Sequence, residues 1–155
     1  MRALTIQDGG LVVERRPDPE PARCELLVRV RAAGLNGADM LQLAGGYPAP
    51  AGSPADIPGL ELAGEVVARG PDAVRFEEGD RVMAVVGGGA QAELAVVHER
   101  AVMPVPDGLE WPAAGGLPEV FTTAHDAVFV QAGLRPGEHL LVHGAAGGVL
   151  SLIHI

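Results

Sequence analysis

Lysine is absent from the 155-residue chain, so all 11 of its basic residues are arginine. Without lysine, these residues can form neither a P-loop of the usual kind nor a lysine Schiff base. The net charge is −9. Nucleic acids and anionic membranes bind to clustered positive charge, so we expect neither of them as a partner.

Cysteine is almost absent as well, since Cys24 is the only one. A single cysteine forms no internal disulfide, which is typical of a reducing compartment. No apolar run approaches the roughly 20 residues that cross a bilayer. Residues 1–6 are too short and too soon charged to be a signal peptide. We therefore expect a cytoplasmic protein.

Short apolar runs separated by turn residues occupy the first hundred positions. Runs at 4–6 and 11–13 flank Gly9-Gly10, which predicts a hairpin. Further strands are predicted over 26–31, 62–68, 81–86 and 92–97, and a triple-glycine turn separates the last two. Strands at this spacing predict a barrel-like β domain.

Helices are predicted at three places. Asn36 can cap a helix that ends before Gly45-Gly46, and a loop rich in proline, alanine and glycine follows over 47–58. A short helix begins at Trp111, with proline in its first turn. A third helix begins at Thr122 or Thr123 and ends at Gly133.

The last segment predicts the beginning of a nucleotide-binding fold. An apolar strand over 140–143 leads directly into a glycine-rich turn, the order that opens a parallel α/β domain. The Gly-x-Gly-x-x-Gly pattern falls on Ala145, Gly147 and Leu150. A leucine side chain departs from this pattern, because the third position needs close packing between helix and strand. We predict that the residues from about 150 onward are not native coding sequence.

Six motifs in this order carry a resemblance that spans nearly the whole chain. They are AGLNGAD (33–39), GGYP (45–48), IPGLELAGEV (57–66), GDRV (79–82), LPE with TTA (117–124) and VHGAAGGV (142–149). The chain resembles the zinc-free quinone oxidoreductase branch of the medium-chain dehydrogenase/reductase superfamily. The resemblance implies a mixed α+β fold, in which a GroES-like β-barrel domain (1–118) precedes the truncated start of a Rossmann α/β domain (119–155). It also implies an amino-terminal fragment of a longer, homodimeric parent.

The same motifs imply a site without zinc. Zinc enzymes of this superfamily carry cysteine where Asn36 stands and histidine where Leu60 stands, and neither replacement is a usual zinc ligand. The structural zinc lobe needs four cysteines, which this chain does not have. We therefore expect no metal.

The resemblance also implies which residues form the site. Asn36 and Tyr47 are expected near the nicotinamide and the acceptor, with Asp39 supporting the helix or the site. Thr123 is expected to contact the nicotinamide amide, with helix capping as the alternative. Glu61 is expected to pair with an arginine from a part of the protein beyond this chain. The remaining cofactor-binding residues are expected in the glycine loop: Ala145, Gly147, Gly148 and Val149.

The implied activity is hydride transfer from NADPH to a small quinone, or to another activated carbonyl or enone. An enoyl-thioester reductase of the same superfamily is the first alternative. A non-catalytic GroES-like binding module is the second. We expect little activity from the chain alone, since it holds one wall of the cofactor cleft and only a fragment of the other.

Overall fold

The computed structural model describes residues 1–150. The expectation that the sequence is not native beyond about residue 150 falls largely on residues 151–155, which lie outside the described residues. Within the described part, the strands are β1 (Arg2–Gln7), β2 (Gly10–Arg15), β3 (Glu25–Ala33), β4 (Glu61–Arg69), β5 (Arg81–Val85), β6 (Leu94–His98) and β7 (Val102–Pro104). The predicted strands of the first hundred residues are thus confirmed. Strand β7, which is only three residues long, was not predicted.

The strands form one antiparallel sheet in the order β6-β3-β4-β5-β7, beside the β1–β2 hairpin. The hairpin continues this sheet through the segment that leads into β6. Ala3 pairs with Ala92, and the Leu4 N–H donates to the Gln91 carbonyl at 2.9 Å. The first strand is therefore held by residues about ninety positions further along the chain.

Alternation of side chains along the strands builds the core. On β3, which lies between β6 and β4, Leu26 and Val28 are fully buried, whereas the next residue, Arg29, is exposed. Leu62 and Val66 on β4 are buried against them. Each such side chain contributes about 1.5–3 kcal/mol on burial, so the sheet supplies a rigid platform for the loops at its edge.

Three α-helices are present within residues 1–150: α1 (Gly37–Leu43), α2 (Trp111–Gly115) and α3 (Pro118–His125). A wider helical turn over Asp126–Gln131 continues α3. The prediction that Thr122 or Thr123 begins this helix was wrong, because both lie inside α3. The helix begins at Pro118, whose fixed φ suits the first turn and whose missing N–H costs nothing there.

The end of the described chain differs most from expectation. Residues 140–143 form no strand, and the Leu141 side chain is 79% exposed. A parallel strand needs neighbours to accept and donate its hydrogen bonds, and none lies beside this segment in residues 1–150. The glycine loop after it folds as turns, with the Gly147 N–H donating to the Gly144 carbonyl at 2.9 Å. None of the helices in the described part is long and apolar enough to cross a bilayer.

Candidate active site

The amino terminus of α1 is fixed by Asp39. Its carboxylate accepts from the Asn36 backbone N–H at 2.8 Å, which forms one half of a capping box. It also accepts from the Gly59 N–H at 3.1 Å and from Gln91 Nε2 at 3.4 Å. Asp39 therefore ties α1 to the loop before β4, which is the supporting role that the sequence left open.

Glu61 joins two helices through one buried carboxylate. The residue is 2% exposed. Its Oε1 accepts from Asn36 Nδ2 at 2.9 Å, and its Oε2 accepts from the Glu119 backbone N–H at 2.9 Å. This hydrogen-bonded chain fixes the Asn36 amide and the first turn of α3 together. Both oxygens have partners within this chain, and an arginine partner stays a prediction.

Gly34 makes the space that Glu61 occupies. A Cβ atom at Gly34 would lie 2.1 Å from Glu61 Oε1 and 2.4 Å from its Cδ. These distances are far inside van der Waals contact, so any side chain at position 34 displaces the carboxylate. The motif that contains Asn36 therefore supplies both the amide and the room for its partner.

The Glu119 side chain lies half-buried beside this junction. Burial raises the pKa of its carboxyl above the ordinary value, and the negative charges of Glu61 and Asp39 raise it further. Two neighbouring carboxyl groups thus act on the Glu119 carboxyl at the meeting point of α1, β4 and α3. The predicted site did not include Glu119, although it stands in the LPE motif, because the helix was predicted to begin only at Thr122 or Thr123.

Thr123 and Tyr47, the other residues expected at the nicotinamide and the acceptor, are not part of the hydrogen-bonded chain around Glu61. Thr123 lies one helical turn beyond Glu119, so the two share a face of α3, and the Thr123 side chain is exposed. Tyr47 lies in the loop between α1 and β4 and is 37% exposed. No hydrogen bond or ring contact joins Tyr47 to Asn36 within residues 1–150. The site roles of Thr123 and Tyr47 stay predictions.

The expected phosphate-binding residues Ala145, Gly147, Gly148 and Val149 lie in turns. A pyrophosphate cradle needs a strand before the glycine turn and a helix directly after it. Neither forms around this turn within residues 1–150. The role of these four residues in cofactor binding stays a prediction.

The donor atoms around Asn36 do not fit a catalytic zinc ion. Leu60 is 5% exposed and carries no donor atom. The Asn36 amide is already bonded to Glu61, and catalytic zinc needs three nitrogen, sulfur or carboxylate ligands. Within the described residues, no group of three His, Cys, Asp or Glu side chains is placed to hold a metal ion.

Residues 22–107 match the alcohol dehydrogenase GroES-like domain model. The mouse synaptic vesicle membrane protein VAT-1 homolog-like is 39% identical over 153 residues, which cover 96% of this chain and 36% of that protein. A quinone oxidoreductase of Pseudomonas aeruginosa is 42% identical over 131 residues, covering 84% of this chain and 40% of the relative. Erythronolide synthase EryA2 of Saccharopolyspora erythraea is 45% identical over 151 residues, which cover 94% of this chain and 4% of that protein.

Solved structures show the same relationship. An alcohol dehydrogenase superfamily protein from Novosphingobium aromaticivorans superposes with a TM-score of 0.90 at 33% identity, over 98% of this chain and 48% of the other. Quinone oxidoreductase from Thermus thermophilus, also solved with NADPH, gives 0.78 at 36% identity, over 97% and 48%. CurK enoyl reductase gives 0.85 at 26% identity, over 97% and 49%.

The chain therefore belongs to the alcohol dehydrogenase GroES-like domain family of oxidoreductases. Within the medium-chain dehydrogenase/reductase superfamily, its relatives place it in the quinone oxidoreductase branch, as the motifs predicted. The predicted mixed α+β fold class is confirmed with it. The chain spans 36–40% of the mouse and Pseudomonas relatives and about half of the solved chains.

Proposed function

We propose that this chain is the substrate-side domain of an oxidoreductase that transfers hydride from NADPH, without zinc, to a quinone or another activated carbonyl or enone. The observation that carries the proposal is the buried chain of hydrogen bonds from Asn36 through Glu61 to Glu119. By the resemblance, Asn36 in this chain of bonds stands where zinc enzymes of the superfamily carry a metal-binding cysteine. The division into domains at 1–118 and 119–155, the homodimer and the cytoplasmic location stay predictions.

Asn36 can stabilise the charge that hydride transfer creates. A reduced carbonyl develops negative charge on oxygen, and a fixed N–H donor lowers the barrier for that step. The Asn36 amide has two N–H donors, and Glu61 accepts one of them. That bond fixes the plane of the amide, so its second N–H has a set direction for an acceptor oxygen.

The same carboxylate aligns the cofactor side of the site. Because Glu61 also accepts from the Glu119 N–H, it holds α3, whose next turn carries Thr123. The Thr123 hydroxyl can then bond the carboxamide of the nicotinamide. When bound, NADPH supplies the hydride, and a complete cofactor domain supplies its phosphate site.

Turnover by a protein that joins this chain to a complete cofactor domain tests the proposal. We expect NADPH oxidation by duroquinone, and we expect Asn36→Ala to lower kcat/KM about 100-fold, as loss of one oxyanion donor does. Gln131→Ala is the matched control, because it removes an exposed amide and leaves the site unchanged. Full activity in Asn36→Ala would show that the amide plays no part.

A second candidate is an enoyl-thioester reductase of the same superfamily. The likeness to CurK enoyl reductase at a TM-score of 0.85 favours it. Two substrates tested with the same protein distinguish the candidates: duroquinone, and an enoyl thioester of N-acetylcysteamine. The larger kcat/KM indicates which activity the protein has. Turnover of neither substrate, by a protein that folds and binds NADPH, would favour the non-catalytic binding module.

A further inference from the structure

Four arginines meet around a concave space between the β1–β2 hairpin and β3. The space has a volume of about 650 Å³. Its positive lining consists of the Met1 amino group, Arg2, Arg15, Arg29 and Arg31. Asp18 and Glu93 are the two acidic residues in the lining. A chain with a net charge of −9 thus gathers four of its 11 arginines around one space, which we call the arginine pocket.

The hairpin forms one wall of the arginine pocket. Arg2 on β1 and Arg15 on β2 are directly opposite each other in the register of the two strands. Side chains of an opposite pair share one face of the hairpin, and two like charges in this arrangement are destabilising. Glu93 neutralises Arg2, whose Nε donates to Glu93 Oε1 at 2.7 Å. Arg15 is exposed and forms no ion pair within residues 1–150.

Strand β3 forms a second wall with Arg29 and Arg31. Glu65 on β4 neutralises Arg31, whose Nη2 donates to Glu65 Oε2 at 2.7 Å. Arg29 is exposed, and no ion pair of the described residues includes it. Each wall therefore has one arginine bonded to a carboxylate and one arginine without an acidic partner. A guanidinium has five N–H donors, so the two unpaired groups can bind an anion that enters the pocket.

The arrangement favours phosphate as the anion. The planar guanidinium fork matches two oxygens of a phosphate group, and the charged hydrogen bonds that result are stronger than neutral ones. Two such forks on separate walls suit an anion with two linked phosphate groups, one for each wall. A nucleic-acid strand or an anionic membrane is disfavoured, because it would extend beyond the pocket over a chain that is negative overall.

The arginine pocket is separate from the candidate active site. None of its lining residues belongs to α1, to α3 or to the glycine loop. We propose that it binds a small anion with a diphosphate group, held by Arg15 on one wall and by Arg29 on the other. Val30 and Leu94 also line the pocket and offer apolar contact to the organic part of a diphosphate ester. The proposal does not rest on the proposed function, because it involves no hydride transfer.

Arginine side-chain signals provide the readout. With ¹⁵N-arginine in the 155-residue chain, we expect inorganic pyrophosphate to shift the Nε signals of Arg15 and Arg29 saturably at constant ionic strength. The Arg100 signal is expected to stay in place, because Arg100 is exposed and does not line the pocket. Orthophosphate is expected to bind about tenfold more weakly, since a single phosphate group loses the charged hydrogen bonds of one wall.

Adenosine diphosphate distinguishes two sources of the same chemical group, because it joins a diphosphate to an organic body. Binding tighter than that of pyrophosphate indicates a diphosphate ester, whose body contacts Val30 and Leu94. Equal or weaker binding indicates that the inorganic anion is the ligand.

Single substitutions test the two walls without disturbing the core. Arg15→Gln and Arg29→Gln are each expected to weaken pyrophosphate binding about tenfold, the loss expected when one charged hydrogen-bond donor is removed. Arg100→Gln is the matched control, because it removes the same charge from an exposed position outside the pocket. Arg15→Gln is also expected to leave the chain at least as stable in urea, since it ends the repulsion with Arg2.

The outcomes separate this proposal from the proposed function. Saturable shifts at Arg15 and Arg29 that either substitution weakens and Arg100→Gln does not support the pocket, whether or not the protein reduces a quinone. Equal binding by Arg15→Gln and Arg100→Gln overturns it, as do shifts of the same size when potassium chloride alone raises the ionic strength. Orthophosphate that binds as tightly as pyrophosphate overturns the arrangement with two walls. Binding to vesicles of phosphatidylserine and phosphatidylcholine in equal parts, without binding of pyrophosphate, overturns the small-anion site in favour of a membrane surface.

Discussion

Residues 1–117 and residues 118–150 use the same kinds of amino acid to different effect. In the first region, strands pair with one another and bury Leu26, Leu62 and Val82 completely. In the second region, no residue after Pro118 is buried. Phe129, Val130 and Leu141 are all more than half exposed there. The first region buries its apolar side chains within its own sheet, whereas the second region has apolar side chains but no core.

The two regions show which structures a sequence can form without partners. Helix α3 forms because its hydrogen bonds run between residues four apart. Three of the four residues 140–143 are large and apolar, yet they form no strand, because strand hydrogen bonds need a neighbouring chain segment. Apolar character alone therefore predicts burial only where the partner segments belong to the same fold.

The largest expected effect is on core side chains of the first region. Leu62→Ala is expected to lower the free energy of unfolding by about 2–5 kcal/mol, because the side chain is fully buried. Leu141→Ala removes the same atoms from an exposed site and is expected to change the free energy of unfolding by less than about 0.5 kcal/mol. Urea denaturation measures both, and similar losses at the two sites would end the contrast between the regions.

The second largest effect is expected at the junction between the two regions, where Glu61 bonds α3. Gly34→Ala places a Cβ 2.1 Å from Glu61 Oε1 and is expected to cost about 1–3 kcal/mol, as overpacking does. It is also expected to move the side-chain amide resonances of Asn36. Gly37→Ala is the control, since nothing lies within 4 Å of a Cβ there. An undisturbed Asn36 signal in Gly34→Ala would refute the coupling.

A smaller effect depends on pH. Burial and the neighbouring carboxylates raise the pKa of Glu119 in the folded chain. A raised carboxyl pKa stabilises the fold fully below the unfolded value of 4.5, and that stability is lost as pH rises through the folded pKa. Glu119→Gln is therefore expected to gain stability relative to the parent chain between pH 4 and pH 7.

Urea denaturation across that pH range measures the difference. Glu78→Gln, on an exposed turn, is the control for the loss of one negative charge. A constant difference between the parent chain and Glu119→Gln from pH 4 to pH 7 would refute the predicted titration.

The smallest expected effect is at the end of the second region. Ending the chain after Gly137 removes residues without buried side chains in the described part, so the free energy of unfolding should change by less than about 0.5 kcal/mol. Amide hydrogen exchange gives the matching local view, with fast exchange at 138–150 and slow exchange in β3 and β4. A loss above about 1 kcal/mol would mean that this segment contributes to the fold.

The sequence was informative where the determinants are local. Gly9, with φ of 75°, marks the first hairpin, and alternation on β3 shows its buried face. The start of α3 was misplaced because Thr122 and Thr123 resemble caps, whereas Pro118 begins the helix. At the site, Asn36 and Asp39 stood in a motif. The bond from the Glu119 N–H to Glu61 joins positions 58 apart, and spacing alone cannot predict it.

The attachment of the hairpin has a consequence for biosynthesis. The Arg2 side chain bonds Glu93, 91 positions later, and β1 joins the sheet through segment 91–93, with a further bond from the Ile6 N–H to the Asp56 carbonyl at 2.8 Å. At about 5–20 residues per second of translation, the hairpin waits roughly 5–20 s for this partner. During that wait the Ala3 and Thr5 side chains of β1, which are buried in the folded chain, stay exposed to the ribosome surface and to chaperones. The first strand synthesised is thus among the last to dock, and it leaves the nascent chain exposed to early mispairing.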